Sequence, residues 1–519
     1  MDQRACLCPP AAPRGLRNRS APPASTVVHA PILRAQRHRH GRLHAPNRRL
    51  PPRIPRASPC APAAAPRTLF PAPLSPQVHP MGHLHDSKAV FSRLQQRIDK
   101  TQSGLPPSPE VFEILKELFT VEEAEIASRL PVIPRKLSSI ARRLGVPAEQ
   151  LRPKLERMAD KGLVFDFVHP TRGPYFMLAP PVVGFFEFTM MRVRSDIDQK
   201  TVARLLALYM YERPEFMREV LRGGTPIGRT LVHEDAVSPE LSTDILDFER
   251  ASALIDSAPL AAVSLCYCRH KKSHLGEACD APQEICISLG HAAAFVLRRG
   301  HGRKAERPEL IDLLHVARDH HLVQIADNVK HEPAYLCNCC GCCCGQLAAI
   351  NRHGIDHAVA TSNFIATIRE PSCNGCAKCV RLCPIQAISL HHRPPHQSAR
   401  SKKKFVARVD PSICLGCGVC KVACTHDALH LEPRPQRVLT PETTTERILR
   451  MAIGRGHLHD VLFDDQDGPT AAFLNRLVGA LERMPTTQRV VLNETLKSRF
   501  VRFLAGAAPA PPTGSPKPT

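Results

Sequence analysis

Eight cysteines between residues 373 and 424 have the type and spacing needed to bind metal clusters. The first group follows the pattern C-x2-C-x2-C-x3-C, and the same spacing occurs a second time further along the chain. Thiolates are the usual ligands of iron–sulfur clusters, and a [4Fe–4S] cube takes one on each iron. A zinc ribbon would instead use two separated C-x2-C pairs. The spacing therefore predicts two [4Fe–4S] clusters.

The two ligand sets follow from the reach of one loop. Three cysteines two residues apart can surround one face of a cube, but the fourth would reach the same cube only with strain. We therefore expect the fourth cysteine of each group to cross to the neighbouring cluster. The first predicted set is Cys373, Cys376, Cys379 and Cys424. The second predicted set is Cys383, Cys414, Cys417 and Cys420.

The repeat extends beyond the cysteines. Each half reads as strand, cysteine loop, short helix and strand, because β-prone segments at 364–368 and 405–409 precede the loops. Over residues 366–435 the chain resembles a bacterial-type two-cluster ferredoxin domain within a larger 4Fe–4S dicluster-domain protein of unassigned substrate. The resemblance implies electron transfer. It has two departures: Thr425 stands where the first half has Pro384, and the basic spacer at 391–404 is long. That spacer reads as a solvated insertion or as a docking patch for an acidic partner.

A second set of ten cysteines lies between residues 266 and 344 and predicts a third metal site. Cys266, Cys268, Cys279 and Cys286 are the first candidates for its ligands. A subset of the following six is the second: Cys337, Cys339, Cys340, Cys342, Cys343 and Cys344. Adjacent side chains diverge, so all six cannot bind one cube. An additional iron–sulfur cluster, zinc, and redox-active thiols without metal remain open alternatives.

The segment before these cysteines predicts a winged-helix-like domain over residues 81–185. Two helices are expected at 137–144 and 148–161, followed by a strand–turn–strand wing at 163–178. The second helix carries both acidic and basic residues, whereas helices that read bases usually lie in a cationic surround. Nucleic-acid binding is therefore possible but not favoured.

The remaining segments complete a multidomain α+β fold that is mostly helical. Residues 186–365 form a helical or mixed cysteine-rich domain, with helices expected at 198–210, 214–221, 242–258 and 308–320. Residues 436–506 form a C-terminal helical segment. Pro-rich tails are expected to be disordered at 1–80 and 507–519.

Composition limits the functions that remain. The net charge is +22, but residues 1–80 carry thirteen arginines and the single acidic residue Asp2. Cysteines clustered at 266–424 indicate metal ligation in a reducing compartment, so we expect a cytoplasmic protein. No apolar run is long enough for a transmembrane helix.

Three functions follow from these residues. The first is an iron–sulfur electron-transfer protein or redox subunit, an oxidoreductase component that acts with a redox partner protein. The second is a reductase whose cysteine-rich middle domain is catalytic, although the chain has no nucleotide fingerprint. The third is a redox-sensing DNA-binding regulator.

Overall fold

The computed structural model describes residues 82–169, 171–221, 224–393, 403–464 and 469–482. All of these residues belong to one compact unit. The tails predicted at 1–80 and 507–519, and most of the basic spacer, lie outside the described residues. The fold is mixed α+β and contains more helix than strand.

The N-terminal elements form a helical layer beside a small antiparallel sheet. The sheet has the strand order β1-β3-β2. Thr120 and Glu123 form a capping box at the start of α3, because each side chain accepts a hydrogen bond from the other residue's backbone N–H. The elements are α1 (Gly82–Asp99), α2 (Pro109–Leu118), α3 (Val121–Ala127), β1 (Arg135–Lys136), α4 (Leu137–Leu144), α5 (Ala148–Asp160), β2 (Val164–His169) and β3 (Gly173–Leu178).

A six-stranded antiparallel sheet forms the middle of the molecule, with the strand order β4-β8-β9-β6-β5-β7. Its strands are β4 (Gly228–Thr230), β5 (Ala261–Leu265), β6 (Glu284–Leu289), β7 (Arg303–Lys304), β8 (Val323–Asp327) and β9 (Tyr335–Cys339). The helices of this region are α6 (Phe186–Phe188), α7 (Gln199–Ala207), α8 (Pro214–Val220), α9 (Ala251–Ser257), α10 (Tyr267–His274), α11 (Gly290–Arg298), α12 (Arg307–Asp319) and α13 (Gly345–His353).

The sequence prediction needs correction in this region. The helix expected at 242–258 is α-helical only in α9, and short 3-10 turns precede it. The helix expected at 198–210 is α-helical only as far as Ala207, and a π-helical turn follows it at Leu208–Glu212. The sequence indicates only one of these six strands, an apolar strand at 322–325 that overlaps β8. The others are short, and β6 and β9 contain cysteines, whose pattern indicates metal ligands.

The eight-cysteine region has two equivalent halves. The first contains β10 (Phe364–Ile368), α14 (Lys378–Leu382) and β11 (Ile388–His392). The second contains β12 (Phe405–Val409), α15 (Val419–Val422) and β13 (Leu429–Pro433). β10 pairs with β13, and β11 pairs with β12, both antiparallel. The first strand of each half therefore pairs with the last strand of the other half.

The C-terminal elements are α16 (Thr444–Arg455), α17 (Leu458–Leu462) and α18 (Pro469–Glu482). One hydrophobic core extends from Val90 in α1 to Met451 in α16 and includes Cys414, Cys417 and Cys420. The cysteine loops are thus packed into the main core. No helix among the described residues is long and apolar enough to cross a membrane.

Candidate metal centres

The structure places the eight cysteines of the two loops in two neighbourhoods. Cys373, Cys376 and Cys424 are the thiols that interact with Cys379, whose pKa is raised to about 11 by burial and by these neighbours. Burial raises the pKa of Cys420, and the thiols of Cys417, Cys383, Cys414 and, last, Cys379 add to this shift. Cys383, Cys414, Cys417 and Cys420 also line one cavity. The fourth cysteine of each sequence group thus lies with the three cysteines of the other group.

The second neighbourhood surrounds a small cavity of about 20 Å³. Besides the four cysteines, the cavity is lined by Ala366, Pro384, Ile385, Ala387, Ile388, Leu415, Gly416 and Gly418, none of which is charged. Burial raises the pKa of Cys417 to about 12, so without a metal this thiol stays protonated at neutral pH. A cluster that binds thiolates removes that penalty. The donor set and the apolar lining therefore fit an iron–sulfur cluster.

Backbone conformation at the loops brings N–H donors close to sulfur. Gly416 and Gly418 have φ values of 70° and 85°, and a Cβ on Gly416 would overlap the backbone of Phe364. The amide of Ala387 donates to the Cys383 sulfur over 3.2 Å. Such N–H donors stabilise the negative charge on cysteine sulfur and tune the potential of a bound cluster.

Two arginines occupy equivalent positions in the two halves. Arg393 donates to the carbonyl oxygen of Cys373 over 2.5 Å, and Arg434 donates to the carbonyl oxygen of Cys414 over the same distance. Each arginine lies three residues after an aligned leucine, Leu390 or Leu431. Neither arginine is part of the predicted site, although the repeat aligns them when it is extended by three residues. They place positive charge beside loops that bind anionic centres.

The two neighbourhoods differ in exposure. Cys376 is exposed, Cys379 and Cys424 are half-buried, and Cys373 is buried. By contrast, Cys414, Cys417 and Cys420 are less than 10 % exposed, and Cys383 is half-buried. The first neighbourhood is therefore the more exposed of the two, and the second lies mostly in the interior of the protein.

The middle cysteines separate into two further groups. Cys279 lies with Cys340, Cys342 and Cys343, and the four sulfur atoms are all within 4.8 Å of one another. The structure thus brings Cys279 to the later cysteine cluster and not to Cys266 and Cys268, with which the sequence analysis grouped it.

The other six middle cysteines form a row of thiols in sequential contact, which we call the six-cysteine row. Each thiol interacts with the next in the order Cys286, Cys337, Cys339, Cys344, Cys268 and Cys266. A buried lysine lies at one end, where the pKa of Lys271 is lowered by burial. Nearby, burial raises the pKa of Glu187 to about 7. The row therefore combines thiols with buried titratable groups.

The cysteine loop between β9 and α13 touches the second neighbourhood. Asn351 donates from its side-chain amide to the carbonyl oxygens of Gly341 and Pro384, over 3.3 and 2.9 Å. Pro384 directly follows Cys383. The middle region and the interior-facing ligand set are therefore in direct contact.

Comparison with known proteins gives one match. Residues 372–428 match the family model described as a 4Fe–4S dicluster domain. No match was found among curated proteins or solved structures. The chain therefore contains a 4Fe–4S ferredoxin-type domain, which indicates an iron–sulfur electron-transfer role.

Proposed function

We propose that this protein is an electron-transfer protein or redox subunit that carries two [4Fe–4S] clusters. The observation that carries the proposal is the crossed grouping of the eight cysteines, which gives each cluster four thiolate ligands. The first ligand set is Cys373, Cys376, Cys379 and Cys424. The second is Cys383, Cys414, Cys417 and Cys420. When bound, each cluster accepts and releases single electrons.

The chain holds the two ligand sets in different surroundings. The exposed Cys376 lies where a redox partner protein can approach, and the buried second set lies against the middle region. Apolar side chains around the second set exclude water, while loop amides and Arg434 offset the negative charge. This arrangement supports electron exchange between an external partner and the middle of the protein.

Stepwise reduction under anaerobic conditions, followed by electron paramagnetic resonance, tests this proposal. We expect spectra of two reduced [4Fe–4S] clusters that interact magnetically, because the ligand sets share one small domain. Cys417→Ala should remove or convert one signal and leave the other. A single signal in the wild-type protein, equally lost in both variants Cys376→Ala and Cys417→Ala, would contradict it.

A second candidate function, a reductase whose middle region is catalytic, is favoured by the six-cysteine row. Neighbouring thiols such as Cys339 and Cys344 can form a disulfide if their sulfur atoms approach bonding distance. Formation of one disulfide releases two electrons and two protons. The two clusters can accept these electrons, one each. Mass spectrometry after alkylation checks this: oxidation should protect one pair of row cysteines. Full alkylation in both redox states would leave only the electron-transfer function.

We further propose that β1, α4, α5, β2 and β3 form a winged helix that serves protein packing. The order of elements and the strand order β1-β3-β2 support this assignment. On α5, Arg152 pairs with Glu156, and Lys154 pairs with Glu122. Each of these cations already has a carboxylate partner, which weakens its attraction to DNA phosphates. A gel-shift assay should show no sequence-specific binding, and a defined footprint that changes on reduction would instead support a redox-sensing regulator.

A further inference from the structure

We propose that the middle region holds a mononuclear metal centre, a single tetrahedral ion separate from the two clusters. Its four thiolate ligands are Cys279, Cys340, Cys342 and Cys343. We call these four residues the four-thiol site.

The distances between sulfur atoms fit one ion. Cys279 and Cys340 are 3.6 Å apart, and Cys279 and Cys343 are 3.8 Å apart. Cys342 and Cys343 are also 3.8 Å apart. A tetrahedron with metal–sulfur bonds of about 2.3 Å has edges of about 3.8 Å. A [4Fe–4S] cube binds each thiolate to a different iron, which separates the sulfur atoms further. The four-thiol site is therefore too compact for a cube and has the size for one ion.

Local structure explains why these four thiols converge. Three of them lie on the short loop that leaves β9 and enters α13, with Gly341 between the first two. Cys279 comes from the loop between α10 and β6, 61 positions away in sequence from Cys340. The next cysteine, Cys344, contacts Cys268 and Cys339 instead. The loop thus places Cys340, Cys342 and Cys343 in the four-thiol site, whereas Cys344 belongs to the six-cysteine row.

A buried arginine supplies independent support. Arg269 is fully buried, and its side chain contacts the Cys279 thiol. Its other donors reach the carbonyl oxygens of Pro282 and Asn338, each over 2.8 Å. Among the residues that the structure describes, its Nε has no hydrogen-bond acceptor. A divalent ion with four thiolates carries a net charge of −2, which would compensate this buried cation.

The closed coordination indicates a structural role. All four ligands come from the protein, so no position is left for a substrate, as in structural zinc sites. The loop that supplies three ligands also lies against Pro384 at Gly341, and Asn351 on α13 donates to the carbonyl oxygens of both Gly341 and Pro384. The ion would therefore fix this loop against the turn that carries Cys383. Zinc and iron both accept tetrahedral thiolate coordination, so the metal has to be identified by measurement.

Metal analysis of the full chain, purified anaerobically, tests the centre directly. We expect one metal ion per chain beyond the irons that are matched by acid-labile sulfide. One zinc per chain, or one iron without matching sulfide, supports the centre and identifies its metal. Extra iron with equal extra sulfide would overturn it and indicate a cluster, and no extra metal would overturn it as well.

Spectroscopy and a matched pair of variants locate the centre. X-ray absorption at the edge of the extra metal should show four sulfur ligands at about 2.3 Å. Cys342→Ser should lower the content of the extra metal while leaving cluster iron in place, and Cys286→Ser, in the six-cysteine row, should not. Nitrogen or oxygen ligands in the wild-type spectrum, or equal metal loss in both variants, would overturn the assignment even if Cys342→Ser folds poorly.

Discussion

The side-chain amide of Asn351 donates a 2.9 Å hydrogen bond to the carbonyl oxygen of Pro384. Asn351 lies on α13 in the middle region, and Pro384 directly follows Cys383 in the eight-cysteine region. The same amide also reaches Gly341 in the cysteine loop. One side chain therefore joins the two regions of the molecule that carry most of its thiols.

The close approach at this contact predicts a specific effect of an added methyl group. A Cβ on Gly341 would overlap the carbonyl oxygen of Pro384 and lie 3.0 Å from its carbonyl carbon. Because both partners are backbone, Gly341→Ala should cost about 1 to 3 kcal/mol and change the spectrum of the nearby cluster. In Gly345→Ala, the new methyl meets the flexible end of Met210 and should be tolerated. Thermal unfolding and electron paramagnetic resonance of both variants check this, and equal behaviour would contradict it.

The two equivalent arginines should raise the potentials of the clusters. A reduced cluster carries one more negative charge than an oxidised one, so a nearby guanidinium favours reduction. Arg434→Gln should therefore lower the potential of one cluster by about 20 to 100 mV, and Arg393→Gln should do so for the other. Arg408→Gln, which removes an exposed cation paired with Glu370, should have little effect. Redox titration of the three variants provides the comparison, and unchanged potentials in the first two would exclude this role.

The difference in exposure predicts two rates of iron loss. The ligand set with the exposed Cys376 is open to water, whereas the set with Cys417 and Cys420 is packed into the core. With an iron chelator, half of the cluster iron should leave quickly and half slowly. Iron release followed over time, with spectra of the remaining cluster, measures both phases. Loss of all cluster iron in one phase would show that the difference in exposure does not set the rate of iron loss.

A buried carboxylate joins the N-terminal elements to the middle sheet region. Asp166 on β2 accepts hydrogen bonds from Arg298 and Arg299 over 2.7 and 2.9 Å. Burial alone would raise the pKa of Asp166, but the two guanidinium groups lower it below the ordinary value. Asp166→Asn should therefore destabilise the protein by about 2 to 3 kcal/mol at neutral pH.

The difference in free energy of unfolding between wild type and Asp166→Asn should depend on pH in one direction. Because the folded-state pKa of Asp166 is lowered, its stabilisation is complete above the unfolded-state value of about 3.9 and is lost as pH falls through the folded value. The difference between wild type and Asp166→Asn should be constant from pH 8 to 5 and should shrink below about pH 4. Denaturant unfolding across this range measures it, and a difference that disappears already at pH 6 would point to another group.

Local patterns predicted some parts of this structure and not others. Regular cysteine spacing, with β-prone segments on either side, indicated the elements around Cys373 and Cys414, because that information lies within short segments. The contact of Cys279 with Cys340 is set by the pairing of distant strands, which spacing cannot reveal. Most of the central sheet could not be predicted for the same reason, since its short strands are stabilised by long-range partners. Arg393 and Arg434 were available from the repeat but have no signature of their own.

Iron and acid-labile sulfide per chain, measured on anaerobically purified protein, test the central claim most directly. We expect about eight sulfides per chain and about eight irons matched to them, which corresponds to two [4Fe–4S] clusters. About four of each, or iron with no acid-labile sulfide at all, would contradict the assignment of two cubes to the eight cysteines.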